Sequence, residues 1–414
     1  MRPILNFLYA KRYAVFLTVL VLFLYIPTLF YGRYMDDCRY LYQHPMGIVQ
    51  AFKNDRHIQL VYYTSFYLQN LVTMSPIFGH TINIVLYGIS LILGWKVAKI
   101  FLKKDNVVFV FMLFWVLFPV SAVPVTWISE RNDLLTFVFC FLAILTYYKD
   151  RFWMSLGCMT IALFCKNTVI FFPLFFVWEH FRQKRYRWMV ISGGIFTGVF
   201  LLAFLQVQYR LLSGELHLFW VGRSFLVMCM YACYHVLALG SALIFPMSCC
   251  LNSITMGIYA GLLGIFSILI YLNRDHLRKP NLDLIVLIFV FFLCFFTTIE
   301  FRVYGLLVFF FYCTLFQVFD FSNHFLYKKW IFLVLILMMS VHFVDLIGAK
   351  RVFDAREPHC KFKKNELNPN NYEYLIRDYL LNIISKRYPW KFFDKKEELD
   401  KIPLFYHPRL DSIF

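Results

Sequence analysis

Two adjacent carboxylates, Asp36 and Asp37, stand shortly after the first long apolar run of the chain, residues 13–31. A run of this length can cross a bilayer, so the pair is expected at a membrane–water boundary. There one carboxylate can stay ionised and act as a general base while its neighbour perturbs it electrostatically. The alternative is that the two acids only solubilise the end of a membrane helix.

A second charged segment places Glu130, Arg131 and Asp133 within four residues, close to Trp127. It falls between two predicted membrane helices. A turn between two helices needs only residues such as Gly, Asn or Pro, so three charges beside an indole favour a binding role. A plain hydrophilic turn accounts for the same charges and stays open as the alternative.

Basic side chains also follow later apolar runs. Lys166 ends one of them, and an ammonium at that depth needs a partner or an anionic ligand because its desolvation is costly. Snorkelling to the interface is the alternative. Arg302 lies between Glu300 and Tyr304 in a later polar cluster, where its guanidinium can bind a phosphate.

His80 and Asn83 lie one helical turn apart at the start of the second apolar run. A helix cap or a buried hydrogen bond is the commoner role for such residues, and a ligand contact is the alternative. Before them runs a long segment, 32–79, which is rich in tyrosine and suits short helices in the membrane interface. Its other polar candidates are Arg39, Lys53, Arg56 and His57.

The composition is that of an integral membrane protein. Of the 414 residues 61% are hydrophobic and only 16% are charged, and the apolar runs are continuous, which predicts helices and not a barrel. The net charge of +17 lies mostly in short loops, so the positive-inside rule explains it without nucleic acid. The first run has no small-residue cleavage site, and we interpret it as a membrane span.

The predicted fold is an all-α polytopic membrane protein, with about 11–12 transmembrane helices and interfacial helices on its outer face. The predicted spans are 13–31, 80–101, 106–124, 133–148, 152–165, 168–179, 188–205, 223–246, 255–272, 282–299, 305–320 and 330–347. Basic loops place the polar segments described above on one outer face. The basic loops require an odd number of membrane crossings between Arg187 and Pro246, whereas two apolar runs lie there. Either the segment 223–246 is partly re-entrant, or one basic loop breaks the charge rule.

Two regions follow from this pattern. Residues 1–347 form the membrane domain, including the outer loop 32–79, and residues 348–414 form a polar tail. In the tail, apolar residues at helical spacing predict an amphipathic helix near 371–386. The alternation of basic loops puts this tail on the outer face, although the charge of a long segment does not itself decide its side.

Metal and nucleotide chemistry find little support. No Cys/His spacing matches a zinc site, and there is no glycine-rich phosphate loop and no Gly-x-Ser-x-Gly elbow. No metal site and no cofactor are therefore expected. Carboxylates are the only hard ligands present, so a divalent cation stays open as an addition.

The order of these motifs resembles the GT-C superfamily of integral membrane glycosyltransferases, which use polyprenyl-phosphate sugars. The nearest resemblance is to protein O-mannosyltransferase-like enzymes, and a more distant one is to the lipid A aminoarabinose transferases. It covers roughly residues 10–180 and returns near 300. The motifs that carry it are Asp36-Asp37, His80-x-x-Asn83, Trp127 to Leu135 with Arg131-x-Asp133-Leu-Leu, Lys166, and Glu300-x-Arg302-x-Tyr304.

The chain departs from that pattern in several places. Lys166-Asn167 stands where relatives often have Lys-Glu, so the role of that glutamate is absent or displaced. His57-Ile58 stands where Arg-Pro is common. No tetratricopeptide tail is present, and residues 188–299 match no known pattern.

The resemblance implies an inverting transfer of a sugar from a polyprenyl-phosphate donor to a hydroxyl acceptor on a glycan, lipid or protein. Asp36 or Asp37 would take the proton of the acceptor hydroxyl. The implied acceptor or sugar ligands are Glu130, Arg131, Asp133, His57, His80 and Asn83. The implied donor-phosphate ligands are Arg39, Lys53, Arg56, Lys166, Arg302 and Tyr304.

The expected location is a bacterial inner membrane, with the site facing the periplasm and serving envelope-glycan, lipopolysaccharide or protein glycosylation. The main alternative is a flippase or transporter of polyprenyl-linked lipids, although repeated halves and matching broken helices are not found. The alternative among enzymes is an O-antigen polymerase, which would not be expected to need the aspartate pair.

Overall fold

The computed structural model describes residues 12–31, 59–117, 124–166, 169–212, 281–295 and 305–318. These residues are almost entirely helical and include no strand, so the all-α prediction is confirmed for this part of the chain. The helices are α1 Arg12–Tyr25, α2 Leu60–Val72, α3 Pro76–Leu102, α4 Asp105–Leu117, α5 Arg131–Tyr147, α6 Phe152–Cys165, α7 Pro173–Arg182, α8 Tyr186–Leu212, α9 Leu282–Phe295 and α10 Gly305–Val318. Two 3₁₀ segments, Ile26–Phe30 and Ile128–Glu130, follow α1 and precede α5.

Two of these stretches are long and apolar enough to cross a membrane, Tyr13–Phe30 and Pro76–Leu102. Helices α4, α6, α9 and α10 are apolar, and their described parts have 13 or 14 residues. A helix that crosses the hydrocarbon core alone needs roughly 20 residues. The number of membrane crossings therefore stays a prediction.

The chain divides into two compact units. The first contains Met1–Gly193 and Phe266–Lys361, and the second contains Gly194–Ile265 and Phe362–Phe414. Of the second unit the structure describes residues 194–212, which continue α8. The predicted boundary at residue 347 and the tail helix near 371–386 lie outside the described residues, and so does the segment 32–58. All contacts discussed below belong to the first unit.

An aromatic core holds α4, α5, α9 and α10 together. The ring of Phe309 on α10 lies 4.9 Å from that of Phe111 on α4 and 4.7 Å from that of Phe141 on α5, centroid to centroid. Phe310 faces the other way and stacks on Phe291 of α9 at 5.5 Å. These rings bury large apolar areas, which is what binds neighbouring helices in a core.

Helix α3 is apolar on both its buried and its exposed face. Its buried face carries mostly apolar residues, together with His80, Asn83 and Ser90. Its exposed side chains include Ile77, Val85, Ile89 and Ile92. A surface helix in water usually carries polar side chains on its exposed face, so the aliphatic exposed face is the unusual feature of this helix.

Two glycines of α3 allow neighbouring elements to approach closely. A Cβ atom on Gly79 would lie 2.9 Å from Cγ2 of Ile128, and one on Gly94 would lie 3.3 Å from the rings of Phe141 and Phe309. Ile128 is fully buried and β-branched, so its methyl group cannot rotate away cheaply. Gly88, by contrast, has open space where its Cβ would be.

Replacing Gly79 by alanine is expected to destabilise the protein by about 1–3 kcal/mol, because overpacking forces Ile128 and the start of α5 to move. Gly88→Ala is the matched control, since it adds the same methyl group on the same helix without a clash. It should be neutral or stabilising by up to about 1 kcal/mol through helix propensity. Thermal unfolding of the purified variants in detergent measures both effects, and equal midpoints for the two variants would contradict this packing.

Polar side chains connect the end of α5, the end of α7 and the start of α9. Tyr148 Oη donates to Asp283 Oδ2 at 2.8 Å, and Arg182 Nη2 lies 2.8 Å from Glu179 Oε2 and 3.4 Å from Asp283 Oδ1. Gln183 Nε2 donates to the hydroxyl of Tyr147 at 3.0 Å. These contacts hold the end of α7 against the end of α5 and the start of α9.

Candidate functional site

Polar side chains meet where several elements of the first unit begin or end. The start of α3, the 3₁₀ turn Ile128–Glu130, the start of α5, the end of α6 and helix α2 all contribute. We call this group the polar cluster, and its members are Gln69, His80, Asn83, Glu130, Arg131, Asp133 and Lys166. All seven are buried.

The ammonium of Lys166 is held by two carboxylates. Its Nζ donates to Asp133 Oδ1 at 2.6 Å and lies 3.8 Å from Glu130 Oε2. The side chains of all three residues are at most 8% exposed, so the charges are well removed from solvent. An ion pair in such surroundings is retained only when both partners are present, because either charge alone carries a large desolvation penalty. The ammonium therefore fixes the position of both carboxylates.

Arg131 is the most constrained member of the polar cluster, and its side chain is fully buried. Its Nε donates to Asn83 Oδ1 at 3.1 Å, and its Nη2 donates to Gln69 Oε1 and, at 3.4 Å, to the carbonyl of Gly79. The guanidinium plane also lies 4.3 Å from the ring centroid of Phe66. One side chain thus joins α2, α3 and α5.

The amide of Asn83 organises the turn that precedes α5. Its Nδ2 donates to the carbonyls of Pro124, Trp127 and Ile128 at 3.0, 3.1 and 3.4 Å. A short irregular segment leaves backbone carbonyls without helical partners, and a buried amide can satisfy them. Asn83 therefore shapes the segment that presents Glu130 and Asp133.

His80 lies beside this turn and is also fully buried. Its ring centroid is 6.2 Å from that of Tyr31, and the backbone of Val125 lies alongside. Its ring nitrogens face the backbone of Val125 and that of Tyr31. The contact with Tyr31 places the end of the first apolar run at the polar cluster.

Helix α2 supplies residues that sequence analysis did not single out. Tyr62 Oη donates to the carbonyl of Ser129 at 2.7 Å, Phe66 covers Arg131, and Gln69 binds its guanidinium. The signal available was the pair of adjacent amides, Gln69 and Asn70, in a helix without charged residues. The same helix exposes Leu68, Leu71 and Val72, and its interfacial position stays a prediction.

Replacing Arg131 by lysine is expected to destabilise the protein by about 1–3 kcal/mol, because an ammonium cannot serve Asn83, Gln69 and Gly79 together and leaves buried acceptors unpaired. Arg151→Lys is the matched control, since Arg151 is exposed. Thermal unfolding in detergent gives the comparison. A lysine variant at position 131 that unfolds with the wild-type midpoint would show that this network contributes nothing.

Of the predicted site residues, the structure brings together Glu130, Arg131, Asp133, His80, Asn83 and Lys166. The other candidates lie outside the described residues, and their roles stay predictions: Asp36, Asp37, Arg39, Lys53, Arg56, His57, Arg302 and Tyr304. Within the described ranges, no group of three or more His, Cys, Asp or Glu side chains is arranged to hold a metal ion.

The chain was compared with protein-family models, with curated proteins and with solved structures. None of the three comparisons finds a match.

Proposed function

We propose that this chain is a polytopic membrane glycosyltransferase that moves a sugar from a polyprenyl-phosphate donor to a hydroxyl acceptor with inversion. The observation that carries the proposal is the polar cluster, in which two buried carboxylates and one ammonium lie together at the ends of apolar helices. Ionisable groups buried in such a bundle mark ligand or proton sites, because they are too costly to keep otherwise.

Two features support the membrane setting. Helix α3 exposes aliphatic side chains while it buries histidine, asparagine and serine, and Tyr13–Phe30 is a second stretch of sufficient length. Lipid tails can cover the exposed aliphatic face at no cost in free energy, whereas contact of this face with water is unfavourable. The basic loops beyond α3 and α5 then lie in the cytoplasm, and the polar cluster faces outwards.

The segment that carries Asp36 and Asp37 is connected to the polar cluster at both of its ends. Tyr31 precedes it and packs against His80, and α2 follows it and contacts Ser129 and Arg131. Asp36 is five residues from Tyr31, so at most about 18 Å of extended chain separates them. The carboxylate pair is therefore within reach of the polar cluster.

In the proposed reaction, Asp36 or Asp37 removes the proton of the acceptor hydroxyl, and the oxygen attacks the anomeric carbon of the sugar. The bond to the phosphate oxygen breaks, and polyprenyl phosphate leaves with the electron pair. Cations stabilise the charge that develops on this phosphate. Arg302, Arg39, Lys53, Arg56 and Tyr304 are the proposed donor ligands.

Lys166 has a more specific role in this proposal. Its ammonium is already neutralised by Asp133 and Glu130, so a donor phosphate must compete with these carboxylates or join them. We therefore assign Asp133 and Glu130 to sugar or acceptor hydroxyls, with Lys166 holding them in place. Arg131 and Asn83 act on the same carboxylates through the backbone of the turn before α5.

The proposed setting is a bacterial inner membrane, with glycans, lipids or periplasmic proteins as acceptors. A flippase of polyprenyl-linked sugars is the second candidate, because buried ion pairs such as Lys166–Asp133 also occur in transporter proton relays. An O-antigen polymerase would also use polyprenyl-linked sugars. These alternatives differ in whether the sugar–phosphate bond is broken and in what receives the sugar.

Reconstitution tests the function directly. Purified protein in nanodiscs receives a synthetic polyprenyl-phosphate sugar and a hydroxyl acceptor, and mass spectrometry detects free polyprenyl phosphate and glycosylated acceptor. The same protein in liposomes is assayed for movement of the lipid between leaflets. Movement without cleavage would establish the flippase, and chains of repeated sugar units would establish the polymerase.

The two ends of α3 test the orientation. Met74, before the helix, and Asn106, after it, are both exposed. A cysteine at Met74 is expected to react with an impermeant thiol reagent in intact spheroplasts, and one at Asn106 only after lysis. The wild-type chain gives the background from its own cysteines. Labelling of Asn106→Cys in intact spheroplasts would show that the protein has the opposite orientation.

A further inference from the structure

Two tight turns lie side by side at the end of the bundle opposite the polar cluster. The first, 148–151, joins α5 to α6, and the second, 183–185, joins α7 to α8. Arg185 Nη1 lies 3.2 Å from Asp150 Oδ1 and connects the two turns. The two turns and the first turn of α8 carry exposed basic residues, namely Lys149, Arg151, Lys184 and Arg187.

Exposed aromatic rings stand among these cations. Trp153 is 66% exposed and Tyr186 is 56% exposed. Trp188 joins the two helix starts, since its ring centroid lies 3.9 Å from that of Phe152 and 5.3 Å from that of Trp153. The guanidinium of Arg187 lies 5.5 Å from the ring of Trp188. We call this surface the basic–aromatic patch.

Acids among the described residues balance only part of the charge of this patch. Asp150 is engaged by Arg185, and Glu179 and Asp283 lie beneath Arg182. Within the described part of the chain, Lys149, Arg151, Lys184 and Arg187 make no salt bridge and are exposed. The patch therefore presents several uncompensated positive charges to its surroundings.

Exposed aliphatic side chains adjoin these cations and rings on both helices. Met154 on α6 and Val190 on α8 are more than half exposed, so aliphatic surface directly follows the cations and rings. Cations, amphipathic rings and aliphatic side chains match the three regions of a phospholipid leaflet, which are the headgroups, the interface and the acyl chains. A free anion or an acidic protein would not need the aliphatic part.

We propose that the basic–aromatic patch is a binding site for anionic phospholipid headgroups in the leaflet at this end of the bundle. The four cations would contact the headgroup phosphate and its negatively charged neighbours, and Trp153 and Tyr186 would sit at the level of the glycerol. This inference rests on the membrane setting of the proposed function and not on sugar transfer. A chain without transferase activity can therefore still pass the test.

Fluorescence quenching tests the site. Dibrominated phosphatidylglycerol is titrated into the full-length protein in zwitterionic detergent micelles, and bromine quenches a tryptophan that the lipid contacts. Dibrominated phosphatidylcholine is the neutral probe. The variants are K184Q/R187Q, which removes two cations of the patch, and Trp153→Phe, which removes the exposed reporter. K103Q/K104Q is the matched control, because it removes two exposed lysines from another turn.

Each basic residue near a membrane surface contributes about five-fold in affinity, so K184Q/R187Q should raise the half-saturating lipid concentration roughly 25-fold. K103Q/K104Q should leave it unchanged, and Trp153→Phe should reduce the quenching by the share of Trp153, which is one of nine tryptophans in the chain. Equal curves for wild type and K184Q/R187Q would overturn the proposal. Equal quenching by the two brominated lipids at the same concentration would overturn it as well.

Discussion

Replacing Lys166 by methionine is expected to lower the free energy of unfolding by about 3–5 kcal/mol, the range for breaking a buried ion pair at one partner. Methionine preserves most of the volume and removes the charge. Asp133 and Glu130 would then face each other in a buried site without their common counter-ion. Either the repulsion stays or one carboxyl group takes up a proton, and both outcomes destabilise the folded state.

The chain offers a matched control for this experiment. Lys99 forms an ion pair with Asp105 at 2.8 Å, but about half of each side chain is exposed. Lys99→Met should change stability by less than about 1 kcal/mol, because water already solvates both partners. Unfolding in mixed micelles at increasing denaturing detergent gives both values. Equal losses for Lys166→Met and Lys99→Met would show that the polar cluster is not desolvated.

A double variant separates the ion pair from simple packing. Asp133→Asn combined with Lys166→Met removes the closer of the two charge pairs and leaves Glu130 without a second carboxylate beside it. It should recover part of the stability that Lys166→Met loses, because a buried pair replaced by neutral groups is often tolerated. If the double variant is no more stable than Lys166→Met, the loss arises from packing.

Replacing Asp36 or Asp37 by asparagine is expected to reduce sugar transfer by about 10²–10⁴-fold, the usual contribution of a general base. Asparagine keeps the shape and hydrogen-bonding capacity of the side chain but cannot accept the proton of the acceptor hydroxyl. The larger effect is expected at Asp36, which lies nearer to the membrane in sequence. Transfer from a synthetic donor in nanodiscs, at equal amounts of inserted protein, gives the rates.

Two comparisons give this experiment its specificity. Asp105→Asn removes an exposed carboxylate just beyond the C-terminal end of α3, away from the polar cluster, and should keep full activity. The unfolding midpoints of the Asp36 and Asp37 variants should equal that of the wild type, which distinguishes a chemical loss from a structural one. Wild-type turnover in both variants would refute the glycosyltransfer proposal.

These two expectations address different properties. The Lys166 variant tests whether the polar cluster is buried and charged, which the described contacts already imply. The Asp36 and Asp37 variants test the proposed sugar transfer. That proposal is supported by the order of the sequence motifs and by the position of the polar cluster. A protein that meets the first expectation and fails the second would be a membrane protein with a buried ion pair and another activity.

Local sequence patterns were sufficient to predict the positions of most described helices. The apolar run 152–165 predicts α6 at its full length, and the run 80–101 predicts most of α3. The run 168–179 was less accurate, because the helix starts only at Pro173. The proline ring fixes a helical φ and lacks an N–H, so it suits the first turn of a helix, and the residues before it form a turn.

The sequence also required a partner for Lys166, since a buried ammonium cannot stay alone. It could not identify that partner, because Asp133 is 33 residues away and an anionic ligand satisfied the same requirement. In the same way Asn83 was assigned to a cap or a buried hydrogen bond, and the structure shows it binding the turn before α5 and the guanidinium of Arg131.

Linear patterns were thus enough to predict the helical class, the positions of most described helices and the places where charged residues interrupt apolar runs. Helix formation depends on neighbours three and four residues apart, so a linear pattern contains the information. The contact by which Gln69 completes the polar cluster spans 62 residues to Arg131, and it could be found only from the packed helices. Desolvation forces each buried polar group to find a partner, but the packing of distant helices selects which one.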